Sequence, residues 1–206
     1  MGEKGGATIR LWRYSADLQN GEVVDSILVK TNVYIRKPTF TNVPIPFHDV
    51  MSWAVASNGN IVVAKSDSYS IKVLSSDLVV LAETRHERKR VKVTDEDKEK
   101  HFDGMTTVND GVVSRGAPDY IREKTIFPKY KPYFSAVTVD HEGYILVRTY
   151  DEEDDEVVFD VFEGNTNFVN QARLPKSVSR AVMSASYVYV LDVADEAVSI
   201  ARYGIE

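Results

Sequence analysis

One phrase is written three times in this chain, each time as an apolar run, a turn and a second apolar run. Trp53-Ala-Val-Ala-Ser-Asn-Gly59-Asn-Ile-Val-Val-Ala64 returns as Ser135-Ala-Val-Thr-Val-Asp-His-Glu-Gly143-Tyr-Ile-Leu-Val147. A worn third copy, Arg180-Ala-Val-Met-Ser-Ala-Ser-Tyr187-Val-Tyr-Val-Leu191, has lost the glycine. Each copy is followed by another alternating segment: Tyr69 to Leu74, Val157 to Phe162, and Val198 to Tyr203. Alternation with period 2 puts successive side chains on opposite faces of a strand. A repeated hairpin with further strands attached fits four-stranded units of roughly 40–45 residues, the size of a propeller blade. The expectation is an all-β propeller, or a propeller segment, of four-stranded antiparallel blades with a short helical insertion.

The rest of the chain divides around these copies. Thr8 to Tyr14 and Val23 to Arg36 read as strands joined at Asn20-Gly21, a pair that tolerates hairpin dihedrals. Asn58-Gly59 reads as a type I′ turn with positive φ at both residues. Thr94-Asp-Glu-Asp97 has the form of a capping box, so a helix is expected from Asp95 to about Phe102, with a second helical turn at Pro118 to Lys124. Thr107 to Ser114 reads as part of an insertion, with a degenerate blade as the alternative. The organisation expected within one propeller-like domain of residues 1–206 is therefore serial. Residues 8–47 hold the outer strands of a partial blade, and 48–92 form a blade. An insertion occupies 93–131, a second blade 132–176 and a terminal unit 177–206. The open ends of such an array are expected to close within one chain or, as the preferred reading, through a symmetric homodimer.

Composition narrows the function classes. Apolar residues make up 43% and charged residues 27%, as in an ordinary globular protein. The absence of cysteine excludes disulfides, thiolate nucleophiles and cysteine metal sites. A net charge of −6 argues against a nucleic-acid partner, which calls for a basic face. No apolar run reaches the roughly 18 residues of a membrane span, and the first residues lack the apolar core of a secretory signal.

Few residues present themselves for chemistry. The acidic run Asp151 to Glu156 has neither the spacing nor the glycine of a calcium loop, and reads as a solvated hairpin tip. The basic run Arg85 to Arg90 reads as an exposed outer strand and its exit. Among His48, His86, His101 and His141 no two stand at helical metal-ligand spacing. Nucleophile elbows and glycine-rich phosphate cradles are absent, so no catalytic residue, metal or cofactor is assigned. His48 and Asp49 directly precede an innermost strand, where propellers open their central channel. Tyr133 and Arg180 hold the corresponding positions before the other two copies, giving a candidate ligand-binding ring of His48, Asp49, Tyr133 and Arg180.

With these motifs in view, the chain resembles bacterial six-bladed β-propellers related to NHL-repeat proteins, across roughly residues 50–206. The likeness is carried by Lys131 to Tyr150, by Phe159-Asp-Val-Phe162, by Ala172-Arg-Leu-Pro175, and by Ala54 to Val63 with Tyr69 to Val73. It implies an exported protein, periplasmic or extracellular, and about three and a half of six blades, so a segment of a longer propeller is one expectation. The function expected is a non-catalytic binding or scaffolding module for a protein or small-molecule partner. The alternative is a metal-dependent hydrolase or lyase of the propeller type, with its site at the channel-facing loops.

Overall fold

A computed structural model describes residues 4–36, 39–109, 112–153, 156–175, 178–184, 187–194 and 197–204. Its strands are β1 (Lys4–Tyr14), β2 (Gly21–Arg36), β3 (Thr39–Pro44), β4 (Met51–Val55), β5 (Ile61–Lys65), β6 (Ser70–Leu74) and β7 (Val80–Arg85). After helix α1 (Asp95–Asp103) come β8 (Thr106–Asn109), β9 (Val112–Arg115) and the one-turn α2 (Asp119–Arg122). The chain continues as β10 (Phe134–Val139), β11 (Ile145–Glu153), β12 (Glu156–Phe162) and β13 (Phe168–Pro175). Last come β14 (Val178–Ser184), β15 (Tyr187–Ala194) and β16 (Ala197–Gly204). The protein is mostly strand, and its sheets are antiparallel meanders ordered β4-β5-β6-β7, β10-β11-β12-β13, β14-β15-β16 and β1-β2-β3. No helix among the described residues is long and apolar enough to cross a membrane, which says nothing of strands.

Two compact units emerge. The first takes residues 1–49 and 90–132, the second residues 50–89 and 133–206. All three copies of the repeated phrase fold as hairpins of the second unit: β4-β5, β10-β11 and β14-β15. Thr107 to Ser114 is a lone two-stranded hairpin, β8-β9, and not a four-stranded blade.

The hairpin turns differ from the type I′ expectation. Ala56–Asn60 and Asp140–Tyr144 are closed by the amide of the first residue on the carbonyl of the last, at 2.8 and 2.9 Å. In both, the fourth residue's amide returns to the first carbonyl. This is a three-residue loop, a type I turn followed by one left-handed residue. Only the glycine is left-handed, with φ +83° at Gly59 and +91° at Gly143, and Asn58 is not. The Asn58 side chain instead accepts the Asn60 amide at 3.0 Å, and Asp140 accepts those of Glu142 and Tyr144. Ser75–Val79 and Glu163–Asn167 repeat the loop with Leu78 and Thr166 in the left-handed position. The β1-β2 turn likewise falls at Ser15–Asn20 and not on Asn20-Gly21. There the Ser15 hydroxyl takes the Asn20 amide at 3.1 Å and Asp17 takes that of Gln19.

The second unit's core lies between its two four-stranded sheets. Val62, Ala64, Ile71 and Val73 on β5 and β6 meet Phe134, Val137, Ile145, Val147 and Phe162 on β10 to β12. Burying each of these larger side chains contributes about 1.5–3 kcal/mol. The first strands are tied directly, since the Val137 amide on β10 donates to the Ser52 hydroxyl on β4 at 2.9 Å. At the turn ends the Ser57 hydroxyl donates to the His141 carbonyl at 3.0 Å. The far face of the second sheet is buried as well, through Leu146, Val157, Phe159 and Leu174.

In the first unit the capping box forms as its sequence requires. Thr94 Oγ1 accepts the Asp97 amide at 3.1 Å and the Asp97 carboxylate accepts the Thr94 amide at 2.9 Å. Helix α1 then buries Phe102, whose ring meets Phe127 at 5.4 Å under the Arg122 guanidinium.

Candidate functional site

Alternation along β12 puts Val158, Asp160 and Phe162 on one face, and that face is the core. Asp160 is therefore a carboxylate with no solvent exposure at all. A buried charge persists only if it is paired and hydrogen-bonded. Its Oδ1 accepts from an Arg88 Nη and from Gln171 Nε2 at 2.9 Å; its Oδ2 accepts from Tyr69 Oη at 2.5 Å and from the same arginine at 2.6 Å. Gln171 is the residue directly across the strand pair, so β13 delivers it by register alone.

Arg88 arrives from the chain just beyond β7, its side chain only 11% exposed. Its other Nη bonds Asp151. Asp151 reaches it because β11 and β12 slip register between Arg148 and Glu152, a bulge that re-aims the strand. Burial opposes the guanidinium's charge, yet Asp160 and Asp151 outweigh it and raise its pKa. Burial, then the hydrogen bond and charge of Asp160, push the Tyr69 phenol far above its ordinary range.

Tyr69 itself is not the first residue of a strand, as the alternation suggested. It sits just before β6 at φ +45°, a costly backbone for a bulky side chain. The cost is offset by complete burial of the ring against Phe134 at 5.3 Å and His86 at 5.1 Å, in addition to the bond to Asp160. Chemically the cluster is closed. A carboxylate has about four lone-pair sites, and four donor contacts fill those of Asp160, leaving none to take a substrate proton.

Asp151 is not part of a solvated tip but a ligand of Arg88; the tip is reached at the facing pair Glu153 and Glu156, and Asp154 and Asp155 lie outside the described residues. The basic run is an exposed strand exit only in part, because the Arg88 side chain is only 11% exposed. The sequence did carry one signal: a single aspartate in the inward register of an apolar strand must have a buried partner. Nothing in the sequence named Arg88 as that partner.

The candidate ring residues fall as follows. His48 and Asp49 line one hollow of about 240 Å³ in the first unit, together with Arg90, Lys129 and Tyr130. His48 Nδ1 lies 3.1 Å from the Ile45 carbonyl and Asp49 pairs with Arg90 at 3.4 Å. Tyr133 belongs to the second unit, where its ring packs 5.8 Å from Tyr69 and its amide donates to the Ser66 carbonyl. Arg180 stands on β14, paired with Leu191, and its side chain lies outside the described residues. Among the described residues no three His, Asp or Glu side chains gather as a metal-ligand group. No protein-family model matches the chain, and no curated protein sequence matches it either.

Proposed function

We propose that this chain is a non-catalytic binding or scaffolding module made of propeller-type blades. The observation that carries the reading is the closure of the Asp160 cluster. The most deeply buried ionic group in the described residues has its hydrogen-bonding capacity filled, by Arg88 and Tyr69 from the neighbouring meander and by Gln171 from its own sheet. The propeller assignment draws support from two sequence-repeated meanders packed face to face, with their first strands β4 and β10 side by side. Propellers stack blades in this way and leave recognition to the loops at the strand ends.

A ligand screen on the full chain tests the proposal. Compounds that raise the melting temperature with concentration, as mass action requires, should be recovered chemically unchanged after prolonged incubation. Conversion of a stabilising compound at a rate proportional to protein concentration would overturn the non-catalytic reading.

A further inference from the structure

The hollow lined by His48 and Lys129 in the first unit carries an excess of positive charge on a chain that is acidic as a whole, at −6. Asp49 and Arg90 neutralise one another across 3.4 Å. That leaves Lys30 and Lys129 in the lining, the Lys129 ammonium lying 5.3 Å from the centre of the Tyr130 ring. A carbonyl can only accept, so His48 Nδ1 donates to the Ile45 carbonyl and the ring is fixed at the wall of the hollow.

The walls are preformed. The Ile45 amide donates to the Lys30 carbonyl at 3.1 Å, the Val93 amide to Lys129 at 3.2 Å and the Lys131 amide to Val91 at 2.8 Å. Arg90 Nε holds the Lys131 carbonyl at 3.1 Å, and Pro46 and Pro128 fix φ in both wall segments. Phe47, beside His48, is held at φ +52°. Such backbone strain concentrates at ligand clamps. Preorganisation of this kind lowers the cost of binding.

We infer that this hollow binds a small anion with compact, oxygen-borne charge, a phosphate or a short dicarboxylate. The inference rests on the binding-module reading and supplies its ligand class. At about 240 Å³ the space lies below the usual range for drug-sized ligands, and suits a molecule of a few heavy atoms. Lys30 and Lys129 supply charge-assisted hydrogen bonds, which are the strong ones.

The test is an NMR titration of the ¹⁵N-labelled full chain with inorganic phosphate, with malonate and with neutral glycerol. Saturable shifts of the His48, Asp49, Lys129 and Tyr130 amides are expected with an anion and not with glycerol. If only one anion saturates, it identifies the ligand as phosphate-like or carboxylate-like. The double variant Lys30→Gln/Lys129→Gln, both exposed positions, should keep the wild-type spectrum elsewhere and bind about tenfold more weakly. Absence of saturation with both anions, an equal response to glycerol, or unchanged affinity in the variant would overturn the site. Stabilisation by some other compound that persists in the double variant would leave the module reading standing and place its site elsewhere.

Discussion

Arg88, just past the end of the first four-stranded sheet, sets its guanidinium on both oxygens of Asp160, buried on the third strand of the next. The bond joins the two sheets at a carboxylate with no solvent exposure, and Tyr69, just before β6, reaches the same group. The polar core of the second unit is thus a tie between neighbouring sheets.

Tyr69→Phe removes one donor from Asp160 while keeping the ring in place. An under-satisfied buried charge should cost about 1–3 kcal/mol, read from urea denaturation. The phenol also links stability to alkali: its folded pKa lies above the unfolded value, so its contribution is complete below pH of about 10 and declines as pH rises beyond that. In Tyr69→Phe that alkaline loss should be smaller than in the wild type.

Gly59→Val should destabilise by about 1–3 kcal/mol, the range for a strained backbone position. An added Cβ at Gly59 meets nothing within 4 Å, so the cost comes from φ +83° alone. Gly59→Asn, which tolerates the left-handed region, should recover most of it. Thermal melts of the two variants separate backbone strain from steric clash.

Much of this fold was legible in the sequence. Alternation placed the strands of both four-stranded sheets, and Thr94 with Asp97 announced α1, because both signals are local. The turns were named less well. Asn58-Gly59 permits either a two- or a three-residue loop, and the choice depends on how the flanking strands register. The Arg88–Asp160 tie was hidden because their side chains meet across 72 residues of sequence. Tyr69 looked like a strand residue because its identity fits the alternation, while its backbone answers to the buried carboxylate. Position before an inner strand singled out His48 and Asp49 together with Tyr133 and Arg180, whereas Lys30 and Lys129, which line the same hollow as His48 and Asp49, come from distant segments that no local pattern joins.

The N-terminus of α1 should respond to acid. Burial alone would raise the Asp97 carboxyl, but Lys131 at 2.6 Å and the Thr94 cap bring it below its ordinary value of 3.8. A depressed folded pKa contributes stability that is present above the unfolded value and lost as pH falls through the folded one. Asp97→Asn should therefore flatten the loss of stability below pH of about 4, measured as the melting temperature against pH beside the wild type.

A double-mutant cycle on Arg88 and Asp160 measures whether the buried ion cluster ties the two sheets together. Arg88→Met strands a buried carboxylate and should cost about 3–5 kcal/mol. Arg88→Met with Asp160→Leu removes both charges and should cost less than Arg88→Met alone. Denaturation midpoints that yield a coupling of about 2 kcal/mol or more would agree with the tie. Additive effects, with the double variant losing the sum of the two single losses, would contradict it.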